Sequence, residues 1–133
     1  MSDPGSGLKM AQPIFDQFDI RDGHDEDKPY VLDPLRDGVP VGWLGLLREL
    51  VQDLVRLGWD RRLHQVKSKL GSLRFYVSQR DDAIRDRIEL AVERSAETCE
   101  DCGAPGTWLD ENGWMSTLCE PCRARRRSRR GGS

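Results

Sequence analysis

Cys99, Cys102, Cys119 and Cys122 are the only cysteines of this 133-residue chain, spaced C-x2-C-x16-C-x2-C. A C-x-x-C turn points two sulfurs and nearby backbone N–H groups at one point, and tetrahedral zinc takes two such turns. Gly103 follows the first pair and suits the left-handed residue that such a turn uses. APGTWLDENGWMSTL fills the gap, with turn residues at ENG between two strand-like runs. The expected product is a treble-clef or zinc-ribbon-like finger over residues 99–122, holding one structural Zn2+. Two disulfides and a redox C-x-x-C are the competing readings, although thioredoxin-like motifs use one pair in a βαβ setting. Four thiolates leave no open coordination position, so a catalytic zinc is not expected.

Directly after Cys122 stand Arg123, Arg125, Arg126, Arg127, Arg129 and Arg130. Alone they look like an arm for nucleic acid. The finger before them speaks against that reading. Residues 99–122 hold five Asp/Glu and no Lys or Arg, and a zinc tetrathiolate adds a formal charge of −2. Such a body repels phosphate, and the arginines could instead lie back on it. Residues 123–133 are therefore expected to be a flexible, solvated or self-neutralising tail, with nucleic-acid contact as the alternative.

The remaining charge is polarised. Residues 1–42 hold nine Asp/Glu against four Lys/Arg, and residues 43–98 hold nine against eleven, for a net −2 over the whole chain. A globally basic nucleic-acid binder is excluded. The acidic arm, residues 13–42, carries Phe15, Phe18 and Tyr30 among Asp19, Asp22, Asp25, Glu26 and Asp27. These eight residues are candidates for docking on a basic protein surface. In the middle of the chain Lys67, Lys69, Arg74 and Tyr76 combine cations with a ring, as single-strand binding surfaces do. The plainer alternative is the solvated side of a half-exposed hairpin. His24 in RDGHDED lacks an ordered calcium loop around it, and His64 fits a partly buried structural histidine. No phosphate-cradling glycine loop, G-x-S-x-G or H-E-x-x-H is present, so enzyme activity is not expected.

The elements that must carry these residues follow from periodicity. Residues 1–12, rich in Gly, Ser and Pro, are expected to be disordered. Pro29, Pro34 and Pro40 make residues 13–42 irregular. WLGLLRELVQDLVRL, residues 43–57, places Trp43, Leu47, Leu50, Leu54 and Leu57 on one helical stripe and ends at Gly58. Leu63, Val66 and Leu70 fit a helix as well as a strand. The alternation in LRFYV favours a hairpin turning near Leu70–Ser72. A second helix spans 80–97, with Ser78 and Asp81 spaced as a capping box and Asp81–Arg85 as an i,i+4 pair. Residues 43–98 then form a helix–hairpin–helix core, and the whole is an α+β chain with a C-terminal finger. No apolar run approaches the roughly 20 residues needed to cross a bilayer. MSDPGSGLKM lacks the regions of a signal peptide, so a reducing cytoplasm is the expected compartment.

QVKSKLGSLRFYV, a charged helix, SAETCEDCGAPG and GWMSTLCEPC, in that order, resemble a family of short uncharacterised bacterial, phage and prophage proteins. That family reads close to QVKEKFGTLRFY followed by a TCE.CG.PG…GW..TLC..C finger. GWLGLLRELVQDL fits its upstream GW and leucine-rich helix, so the likeness spans residues 42–122. Leu70 replaces an aromatic, and Val39-Pro40-Val41 replaces a cysteine- or glycine-rich lead. The resemblance implies a compact fold with a zinc finger and implies no biochemical activity. Together these features lead to an expected non-enzymatic protein-interaction module, of the inhibitor, immunity or phage/host modulator type. A nucleic-acid-binding accessory protein or regulator is the alternative.

Overall fold

The structure, a computed structural model, describes residues 4–79 and 81–131, with side chains from 7 to 129 apart from residue 80. It is a mixed α+β fold of four helices and two small sheets. Helix α1 runs Pro4–Gln17 and is followed by a two-residue strand β1, Arg21–Asp22. A 3-10 turn at Val41–Trp43 leads into α2, Leu44–Arg56. Strands β2 (Arg62–Lys69) and β3 (Ser72–Val77) precede α3, Asp82–Ser95. The finger contains β4 (Thr107–Glu111), β5 (Trp114–Leu118) and α4, Glu120–Gly131.

The expected order α2, hairpin, α3, finger is present. Leu47, Leu50, Val51 and Leu54 give α2 its buried stripe. Gly58, at φ +88°, ends it in the left-handed conformation that glycine adopts without strain. Residues 62–69 are a strand rather than a helix. Their inward positions Leu63 and Val66 pair with Val77 and Phe75, and all but the half-buried Val77 are buried. Leu70 and Gly71 form the two-residue loop, both at positive φ, as a type I′ hairpin turn requires. Helix α3 starts at Asp82 with Asp81 as N-cap and no side-chain cap bond, so the Ser78–Asp81 capping box does not form. Arg85 pairs with Asp82, not Asp81.

Three further expectations are corrected. Residues 4–12 are helical, not disordered. Leu8, Ala11, Ile14 and Phe15 fall on one face of α1 and are buried. Burying such side chains, about 1.5–3 kcal/mol for each large one, outweighs the low helix propensity of Gly7 and Pro13. Residues 13–42 are not a free arm either. Ile20, Tyr30, Leu32 and Val39 belong to the main core with Trp43 and Leu47, and β1 adds a parallel edge to β2. Finally, residues 123–131 are helical as part of α4, not a flexible tail. Residues 1–3, 132 and 133, also expected to be flexible, lie outside the described residues.

Asp37 organises the segment before α2. Its buried carboxylate accepts hydrogen bonds from Tyr30 Oη (2.7 Å), Val66 N (3.1 Å), Asp33 N (3.1 Å) and Arg36 Nε (3.0 Å). Burial and the adjacent Asp37 carboxylate push the Tyr30 hydroxyl up, so it stays protonated and donating. The turn Asp33–Asp37 is thereby fixed to β2.

Candidate metal centre

The sulfurs of Cys99, Cys102, Cys119 and Cys122 all lie within 4.8 Å of one another, and none is in a disulfide. Cys102 Sγ and Cys119 Sγ are 3.6 Å apart. Four sulfurs around a tetrahedral ion at about 2.3 Å stand about 3.8 Å from each other. The donor set therefore fits a thiophilic metal ion.

Local chain geometry produces this cluster. In the first knuckle Gly103 N donates to Cys99 O (2.9 Å), with Gly103 at φ +82°. The hairpin β4–β5 turns on Asn112–Gly113, both at positive φ, the type I′ signature of Asn-Gly. It returns the chain to Leu118 beside Cys99. Cys119 directly precedes α4, and Cys122 lies in its first turn. Knuckle, hairpin and a second C-x-x-C opening a helix make a treble-clef-like finger.

The thiols differ. Burial raises the Cys99 thiol, but backbone N–H groups of Cys119, Cys102 and Asp101 outweigh it and bring it down to about 7. Burial, then hydrogen bonds from the other thiols, push Cys122 up to about 12. Metal binding must displace protons from such thiols, and a cation is the natural compensation for crowding them.

The expected tail arginines surround this cluster. Arg123 is 1% exposed, forms a 2.6 Å ion pair with Glu111 and donates to Thr107 O (2.6 Å). Arg125 donates to Cys122 Sγ (2.8 Å), Arg126 bridges both oxygens of Asp101, and Arg127 reaches Glu111 (2.9 Å). Hydrogen bonds from Arg123 and Arg127 hold the Glu111 carboxyl below its usual range. Four arginines thus offset part of the finger's negative charge. Arg129 is exposed, and the side chain of Arg130 lies outside the described residues.

The finger is fixed to the core at two places. Gly42 N donates to Glu100 O (2.8 Å), and Trp43 Nε1 to Thr98 O (2.8 Å). At the hairpin turn, Trp108 Nε1 donates to Leu70 O and Thr117 Oγ1 to Gly71 O, each at 2.8 Å. Buried Glu100 accepts from Thr117 N (2.6 Å), and its burial raises its pKa. Sequence reasoning did not single out Gly42, Trp43, Glu100, Thr117 or Asp37 for these roles. Only the GW of residues 42–43 carried a signal.

The eight arm candidates divide. Phe15 and Tyr30 are core side chains, ring centroids 5.7 Å apart, and present no docking surface. Phe18 is half-buried against the same core. Asp19 pairs with Arg21, Asp25 with Lys28, and Glu26 with Arg62. Asp22 caps its own loop, and the bonds from His24 N and Asp25 N hold its carboxyl below the ordinary value. Asp27 is exposed. Lys67, Lys69, Arg74 and Tyr76 share the outward side of β2–β3, as the register Lys67↔Arg74 and Lys69↔Ser72 requires. His64 hydrogen-bonds Ser78 through Nε2 and meets His24 edge-on.

No helix among the described residues is long and apolar enough to cross a membrane. No protein-family model, curated protein or solved structure matches the chain.

Proposed function

We propose that the chain is a binding protein stapled by one structural zinc ion, which docks on another protein through the rigid segment Asp19–Asp37. We place it with the short bacterial and phage proteins that its QVKSKLGSLRFYV segment and finger resemble. The tetrathiolate set favours zinc, and with all four sulfurs committed it leaves no position for substrate or water.

The observation that carries the docking reading is the turn Asp33–Asp37. Leu35 at its tip is 98% exposed and Val31 is 63% exposed, while Asp37 below is buried and bonded on both oxygens. A large apolar side chain held in water by an over-determined turn is pre-organised for a pocket, because little ordering entropy remains to be lost on docking. Asp27 and Asp33 have no ion pair among the described residues. The matching partner surface is an apolar socket with a cationic rim. That is the chemistry expected of an inhibitor, immunity protein or modulator that covers a basic site.

Leu35→Asp tests this without touching the core. Affinity capture from the cells of origin with wild-type protein should retain a partner that the variant loses. The same partner bound equally by both proteins would refute the reading.

A further inference from the structure

Lys67, Lys69 and Arg74 stand together on one side of one hairpin without an ion pair among the described residues, a lack they share only with scattered cations such as Lys9, Arg61, Arg94 and Arg129. Arg21, Arg36, Arg62, Arg87, Arg123, Arg126 and Arg127 all meet carboxylates. None of the three hairpin cations has an ion pair or side-chain hydrogen bond among the described residues. Lys67 and Arg74 are moreover direct cross-strand partners. Like charges placed opposite in an antiparallel pair destabilise it. Folding therefore gives no reason for this arrangement, whereas an anion lying across the hairpin would.

We infer that the outward side of β2–β3 is a binding site for single-stranded nucleic acid, separate from the docking turn. Lys67 and Lys69 are two residues apart, about 6.8 Å along the strand, with Arg74 across from the first. Three cations in a short strip suit a flexible chain of phosphates. Tyr76, 46% exposed, is two residues beyond Arg74 on the same side and offers a ring on which a base can stack. Beyond the turn, the finger hairpin meets Leu70 and Gly71 and closes that end of the strip. A flexible single strand can turn away at that end and offer an unpaired base to Tyr76, whereas a stiff duplex keeps its bases stacked on each other. The arginine-rich segment is a weaker candidate, because four of its six arginines are engaged on the finger.

The test is fluorescence anisotropy with the zinc-loaded full chain and a labelled 15-nucleotide oligo-dT, with a mixed-sequence duplex of equal length and anionic phosphatidylserine vesicles as comparison ligands. Three phosphate contacts at about 0.7 counterions each predict a slope of about −2 for log K against log salt. That corresponds to a roughly twentyfold loss of affinity between 50 and 200 mM salt. Lys67→Gln and Lys69→Gln should each make the slope less steep by about 0.7. Tyr76→Ala should weaken binding with the slope unchanged, and Arg129→Gln should change little. Leu35→Asp should bind oligo-dT like wild type, which separates this site from the docking turn. No binding at 50 mM salt, tighter binding of duplex or vesicles, or loss with Arg129→Gln but not with Lys69→Gln would overturn the inference.

Discussion

Arg123 shows how misleading a residue can be when read by its neighbours in sequence. It opens the run RARRRSRR, yet it is among the least exposed side chains of the finger and bonds to Glu111, Thr107 O and Leu118 O. Glu111→Gln removes the countercharge of a buried cation and should lower the midpoint of thermal or denaturant unfolding. A change within experimental error would mean that the pair is not formed. Leu70 is the opposite case, a side chain that harms its own site. It adopts φ +55° in the hairpin turn and is 55% exposed. Left-handed backbone costs a non-glycine L-residue about 1–2 kcal/mol, and Asn tolerates it better. Leu70→Asn should therefore stabilise the protein by about 1 kcal/mol; destabilisation would contradict the turn geometry. The cysteines were legible because metal spacing is local, two residues within each pair. Asp37 was not, since nothing in LDPLRDG tells a buried acceptor of several hydrogen bonds from an ordinary turn acid.

Elements with strong periodicity were read correctly, and those held by tertiary burial were not. The leucine stripe of α2 and the Asn-Gly turn of the finger state their structure within a few residues. Helix α1 contains Pro and Gly that argue against it locally. Only the core that receives Leu8, Ala11, Ile14 and Phe15 makes it pay. A two-residue strand such as β1 has no sequence signature. The self-neutralising reading of the C-terminal arginines agrees with the pairing of Arg123, Arg126 and Arg127 with Glu111 and Asp101, but it does not by itself make residues 123–131 an ordered helix. The first of the two junctions between finger and core has no room for a side chain at Gly42. A Cβ on Gly42 would lie 2.0 Å from Cys99 O and 2.7 Å from Glu100 C. These are backbone atoms of the first knuckle and cannot move without moving the ligand. Gly42→Ala should cost about 1–3 kcal/mol and weaken metal retention in a chelator competition. Unchanged retention would show that the knuckle is independent of the Val41–Trp43 turn.

At the scale of the molecule there are two clusters of buried residues of very unequal size. The main core runs from Leu8 to Ala91 and has some twenty buried apolar residues. The finger's own cluster is Cys99, Leu118 and Cys122, with Cys119 against it. So small a cluster is a weak hold on a hairpin and a helix, and under the proposed function the metal ion would be their main staple. Because the ligands bind as thiolates, metal affinity should rise with pH. It should fall as pH drops through about 7, where the Cys99 thiol takes up its proton. Zinc affinity measured from pH 6 to 8 that stayed flat would argue against thiolate ligation. The most direct test of the account is metal stoichiometry joined to structure. Elemental analysis of protein purified without added metal should give one zinc per chain. Cobalt substitution should give the thiolate charge-transfer bands of a tetrahedral site, and chelation should abolish the helical signal of α4 while the main core stays folded. A metal-free chain in which residues 99–131 remain folded would contradict it.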